Sequence, residues 1–141
     1  MIRKVLAYIT RQGAQGLEIL VFEHWNGPQP GTQLPGGTVD PGEELVDALH
    51  REIEEETGLV GCRVMRMLAQ VEFYADWRNE WQMRHVFHLL APDNAPDSWT
   101  HVVSAGEEDK GLVFTLKWLS LEEAGSKLKW GQAQWLHLLE Q

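Results

Sequence analysis

An α/β fold, with helices on both faces of a mixed central sheet, is predicted by two observations. Short β-rich runs recur along the whole chain, interrupted by one central and one C-terminal helical region instead of being segregated from them. The 141 residues are 43% hydrophobic, enough for a single core, so one domain over residues 1–141 is expected.

The elements follow in order. Lys4 to Thr10 alternates and is rich in β-formers, Leu17 to Phe22 is a compact apolar run, and Gln12 to Gly16 between them supplies a turn. Together they predict an antiparallel hairpin. Glu23 to Gly31 is a loop by its glycine and proline content, leading to Leu34-Pro35-Gly36-Gly37. Cys62 to Tyr74 and Trp81 to Leu90 predict a second hairpin. Ala91 to Ser98 is loop, Thr100 to Ser104 a short strand, Ala105 to Gly111 an acidic loop and Leu112 to Leu119 a further strand. Ser120 fits a helix cap in Ser120-Leu121-Glu122-Glu123, and Gly131 to Leu139 has helix-like apolar spacing.

The most informative stretch is Gly36 to Leu59, GGTVDPGEELVDALHREIEEETGL. Pro41 and Gly42 suit a turn, Glu43 and Glu44 favour the first turn of a helix, and Gly58 supplies its stop. At ~100° per residue, Leu45, Leu49 and Ile53 form one apolar arc, with Glu52 and Glu56 within or beside it and Glu55 on its flank. Glu43, Asp47 and Glu54 project the other way. Those outward carboxylates read as a solvated face, where like charges cost only ~0.2–0.5 kcal/mol per pair. Glu52, Glu55 and Glu56 lie at the edge of a core-facing arc. Taking a carboxylate out of water unpaired costs about several kcal/mol, and Arg51 and His50 are too few to offset three. A divalent cation such as Mg²⁺, which takes oxygen ligands and keeps positions open for phosphates, would neutralise them.

The spacing Gly37, Glu43, then Arg51-Glu52-Ile53-Glu54-Glu55-Glu56-Thr57-Gly58-Leu59 resembles the complete signature box of the Nudix hydrolases, and Leu34-Pro35-Gly36-Gly37 is similar to the family's lead-in. The resemblance implies a Nudix-type α/β/α sandwich and a pyrophosphohydrolase. The implied reaction is metal-dependent hydrolysis of the diphosphate linkage in a nucleoside triphosphate or nucleoside diphosphate derivative, by water attack at phosphorus. It further implies Glu52, Glu55 and Glu56 as metal ligands with the Gly37 carbonyl, Mg²⁺ or Mn²⁺ as the ion, and Arg51 with Glu43 as an orienting ion pair. The general base is Glu52 on this reading, or loop residues Glu107 or Glu108. Glu23 and His24 stand where family members often carry a basic residue. The alternative is a non-catalytic Nudix-like module that senses a nucleotide; such modules typically lose a box glutamate, and none is lost here. A calcium-binding module is disfavoured because Asp40-Pro41-Gly42 lacks the alternating ligands of an EF-hand loop.

Charge bounds the partners. A formal net charge of −9 argues against long nucleic acid or an anionic membrane, both of which need clustered Lys and Arg, and favours a small nucleotide-type substrate. The protein is expected to act as a monomer or homodimer. One cysteine, Cys62, forms no internal disulfide, and the N-terminus lacks a signal-peptide core, so a cytoplasmic location is expected. Cys62 reads as a buried small hydrophobe and not a nucleophile. His85 and His88, three apart on a strand, face opposite sides and do not suggest a zinc site. Among the seven tryptophans, Trp118, Trp130 and Trp135 read as packing. Trp77 and Trp81 flank a hairpin loop, where packing or cross-strand pairing is favoured over stacking on a ligand. Arg84 reads either as an outward strand residue or as a phosphate contact.

Overall fold

The computed structural model describes residues 1–25, 31–106 and 110–139. The β-rich runs form strands β1 (Ile2–Gly13), β2 (Gly16–His24), β3 (Gly36–Thr38), β4 (Arg63–Ala75), β5 (Glu80–Leu90), β6 (Ser98–Val102) and β7 (Val113–Ser120), with helices α1 (Leu45–Thr57) and α2 (Leu121–Lys127). Among the described residues the strands make one sheet in the order β4-β5-β1-β2-β7-β6, with β3 attached to β1. β1 and β5 run parallel while the other pairs are antiparallel, so the sheet is mixed. Both expected hairpins form, as β1–β2 and β4–β5.

The site is positioned by a change of partner along β1. Its first half pairs β3 through Lys4, Val5 and Leu6, and its second half pairs β2 from Thr10 to Gly13. β5 continues along the other side from Ile2 to Thr10. The Gly36–Thr38 segment, expected as loop, is therefore a short strand wedged where β1 and β2 part. Gly36 is required there, because a Cβ at this position would collide with the Val5 carbonyl.

Alternation along β1 builds a core on each face. Val5, Ala7 and Ile9 pack with Leu49 and Ile53 of α1, and Leu6 and Tyr8 pack with Leu119, Ala124, Leu136 and Leu139 on the opposite side. Cys62 is buried on the α1 side, where burial pushes its thiol pKa up to about 11.

Three expectations are corrected. The helix begins at Leu45, with Glu44 as the extended cap residue, so Glu43 precedes the helix and is free to turn toward Arg51. The C-terminal region forms no helix over Gly131 to Leu139; only the 3₁₀ turn Leu136–Leu138 appears. Long-range bonds win there: the Tyr8 hydroxyl donates to the Gln132 carbonyl and accepts from the Trp135 amide, and Gln132 Oε1 accepts from the Leu34 amide at 2.8 Å. Trp130, read as packing, is 52% exposed, whereas Trp118 is buried and Trp135 packs on the second core. The Ser120 cap forms as expected, its side chain accepting from the Glu123 amide at 3.1 Å.

Candidate active site

Helix α1 ends where Gly58 takes a left-handed φ of 79°, a conformation glycine adopts without a side-chain penalty. Its last turns carry Glu52, Glu55 and Glu56 to one cavity of about 540 Å³, whose wall also includes Gly37, Lys4 and Arg78. Glu56 is buried, and the Glu52 and Glu55 side chains are 13% and 18% exposed. Asp47 and Glu54 face solvent, as the helical period requires.

One cation organises this cluster. Arg51 grips Glu43 with a two-pronged contact, Nε to Oε2 at 2.9 Å and Nη2 to Oε1 at 2.8 Å, and Nη2 also donates to the Thr38 carbonyl at 2.9 Å. Its Nη1 reaches Glu52 Oε1 at 3.0 Å and Glu55 Oε1 at 3.4 Å. The guanidinium hydrogen bonds hold the Glu43 carboxyl down at about 2, and Glu43 in turn raises the proton affinity of Arg51. α1 is thereby tied to the loop that precedes it.

Sharing one guanidinium leaves Glu52 short of compensation. Burial pushes its pKa up to about 7; Arg51 opposes the shift, and the nearby Glu55 charge adds to it. The carboxyl lies directly over Gly37, where any Cβ would collide with it. Glu56 turns elsewhere and accepts from the Gly36 amide at 2.8 Å through Oε1. The three carboxylates therefore share one wall but do not converge, and no group of three or more His, Cys, Asp or Glu side chains among the described residues is gathered for an ion. The donor set still fits a hard divalent cation in kind, being carboxylate oxygens with one member that burial drives toward protonation for want of positive charge.

Several groups near the site were not singled out by sequence reasoning. Lys4 lines the cavity because β1 pairs β3, and its Nζ donates to Thr38 Oγ1 at 2.7 Å. Burial, then Arg78, lowers its pKa. Only the pairing of distant strands brings these groups together, although alternation from Val5 would have placed Lys4 on the face opposite α1. Trp81 makes the cross-strand pair expected of it, edge-on to Tyr74 at 5.5 Å, while Trp77 is 72% exposed. Glu107 and Glu108, the loop candidates for the base, lie outside the described residues.

The model for the NUDIX domain matches residues 2–139, and the chain belongs to that family. Over 61 residues, 43% of this chain, it is 38% identical to the Mus musculus 8-oxo-dGDP phosphatase NUDT18. That match spans 19% of the relative, so the chain corresponds to about a fifth of its length. The fold is similar to a MutT NUDIX hydrolase from Burkholderia pseudomallei, with a TM-score of 0.69, 27% identity, and coverage of 99% of this chain and 98% of that one. It is also similar to the NUDIX domain of Shewanella oneidensis NrtR, solved with ADP ribose, with a TM-score of 0.72, 22% identity, and coverage of 97% and 84%. At that identity the second likeness concerns the fold alone. Among the described residues no helix is long and apolar enough to cross a membrane.

Proposed function

We propose that this chain is a metal-dependent pyrophosphohydrolase acting on the diphosphate linkage of a nucleoside triphosphate or nucleoside diphosphate derivative. The observation that carries the reading is the undercompensated carboxylate cluster on α1, with Glu52 pressed against Gly37 and its pKa pushed up to about 7. Family membership over residues 2–139 supports it.

Glu52, Glu55, Glu56 and the Gly37 carbonyl would hold Mg²⁺ or Mn²⁺. When bound, the ion offsets charge on the non-bridging phosphate oxygens and acidifies water. Glu52 takes the proton from attacking water: Arg51 engages its Oε1, leaving Oε2 to receive it, and a pKa near operating pH suits a general base. Arg51 and Glu43 position that carboxyl by fixing α1 against its lead-in loop. Lys4 and Arg78, on the same cavity wall, supply positive charge toward the substrate phosphates.

The test is a hydrolysis screen over nucleotides, sugar nucleotides and dinucleoside polyphosphates, in Mg²⁺, in Mn²⁺ and in EDTA. Turnover that needs the metal is the expected result. Stoichiometric nucleotide binding with no turnover of any compound would make the chain a sensor instead.

A further inference from the structure

On the face of the sheet away from α1, two polar side chains of β5 are left without protein hydrogen-bond partners. Gln82 and Arg84 are two residues apart on the strand and so share a face. Both line a cavity of about 570 Å³ that adjoins Gly36 and Gly37. Gln82 is 1% exposed. Its Nε2 donates to Glu80 Oε1 at 3.1 Å, and this bond to a carboxylate acceptor fixes which end of the amide is the carbonyl. Oε1 is then buried with no hydrogen-bond partner among the described residues. A buried carbonyl in that state has given up water for nothing, which native folds rarely tolerate without a reason.

Arg84 has the complementary need. Its guanidinium rests over the Phe73 ring at 4.5 Å, and among the described residues no hydrogen-bond acceptor meets it. An unmet acceptor and an unmet cationic donor therefore face the same space. Exposed Trp77 and Trp130 line it as well. Trp130 holds a φ of 54°, a left-handed conformation that a bulky residue keeps only where its surroundings impose it.

We propose that this cavity takes the flat ring of the substrate and that Gln82 and Arg84 read a lactam edge, a carbonyl beside a ring N–H, as in hypoxanthine, guanine or uracil. The inference rests on the nucleotide reading above. The ring N–H supplies the donor that Gln82 Oε1 lacks, and the ring carbonyl accepts a charge-assisted bond from Arg84. Adenine offers the guanidinium a ring nitrogen instead. Glutamine's usual two-point match to adenine is also blocked, because Nε2 is committed to Glu80. Trp77 and Trp130 supply indole surface on which a base can stack.

The test compares IMP with AMP, which differ in this edge, by equilibrium binding to the full chain in EDTA, read by quenching of tryptophan fluorescence. IMP should bind at least about ten-fold more tightly to the wild type, and the preference should shrink to about two-fold or less in Gln82→Met and in Arg84→Gln. Retained AMP affinity in each variant shows that the cavity still forms; should Gln82→Met fail to fold, Arg84→Gln decides. Equal binding of the two nucleotides, no binding of either, or a preference that survives both substitutions overturns the assignment. Hydrolysis need not occur for this result: an IMP preference without turnover removes the catalytic reading and keeps this one, and turnover without the preference does the reverse.

Discussion

The Glu52 carboxyl sits over Gly37 so closely that the glycine has no room for a side chain. One residue from β3 and one from α1 thus fix each other's place. Gly37→Ala should displace Glu52 and lower kcat by about 10²-fold or more, as misplacement of a reacting group by about 1 Å does. The fold should survive, since the Glu52 side chain can turn toward the cavity. Wild-type kcat in this variant would show that the contact has no part in the chemistry.

Glu56→Gln separates charge from shape. The amide carbonyl can still accept from the Gly36 amide, the bond Glu56 Oε1 makes at 2.8 Å, so the variant should fold. It should lose hydrolysis for want of a charged ligand, and in metal-free buffer it should melt no earlier than the wild type because one buried charge is gone. Turnover at the wild-type rate would remove Glu56 from the ligand set.

Glu52 predicts a pH dependence of stability without metal. Its folded pKa of about 7 lies above the ordinary value of 4.5. The folded state therefore binds the proton more tightly, and the stability from this group is full below about pH 4.5 and is lost as pH rises through about 7. The loss is on the order of 2 kcal/mol after allowance for solvent screening. In EDTA the melting temperature should fall across that window, Glu52→Gln should flatten the fall, and millimolar Mg²⁺ should raise the wild-type melt at pH 8 by mass action. Identical melts in EDTA and Mg²⁺ would count against a metal site.

Replacing Glu52 by Gln should also lower kcat by about 10²–10⁴-fold, the usual loss for a general base, with any lost metal affinity adding to it. Glu107→Gln and Glu108→Gln should mainly change KM. If either abolishes turnover while Mg²⁺ binding is unchanged, the base belongs to the loop and Glu52 is a ligand only.

Tyr8→Phe tests the C-terminal segment. The buried hydroxyl donates to Gln132 and accepts from Trp135, and burial pushes its pKa up to about 12. Removing it leaves the Gln132 carbonyl and the Trp135 amide short of a partner, which should cost about 1–3 kcal/mol in denaturant unfolding. An unchanged unfolding midpoint would mean that these bonds do not hold the segment.

By itself the sequence determined the helix that bears the carboxylates, its glycine stop, the two hairpins and the family, because turn chemistry, capping and the 3.6- and 2-residue periods act over neighbouring residues. It also separated inward Glu52 and Glu56 from outward Asp47 and Glu54, since burial follows the helical period. Tertiary structure alone decided the rest. β1 exchanges β3 for β2 along its length, which brings Lys4 and Gly37 to α1. Arg51 divides its charge among Glu43, Glu52 and Glu55, an outcome that depends on distances between loop and helix. The run from Gly131 to Leu139 has helical spacing but gives up the helix for bonds to Tyr8 and Leu34. A buried partner far along the chain outweighs a weak local propensity, and no window of sequence contains both sides of that competition.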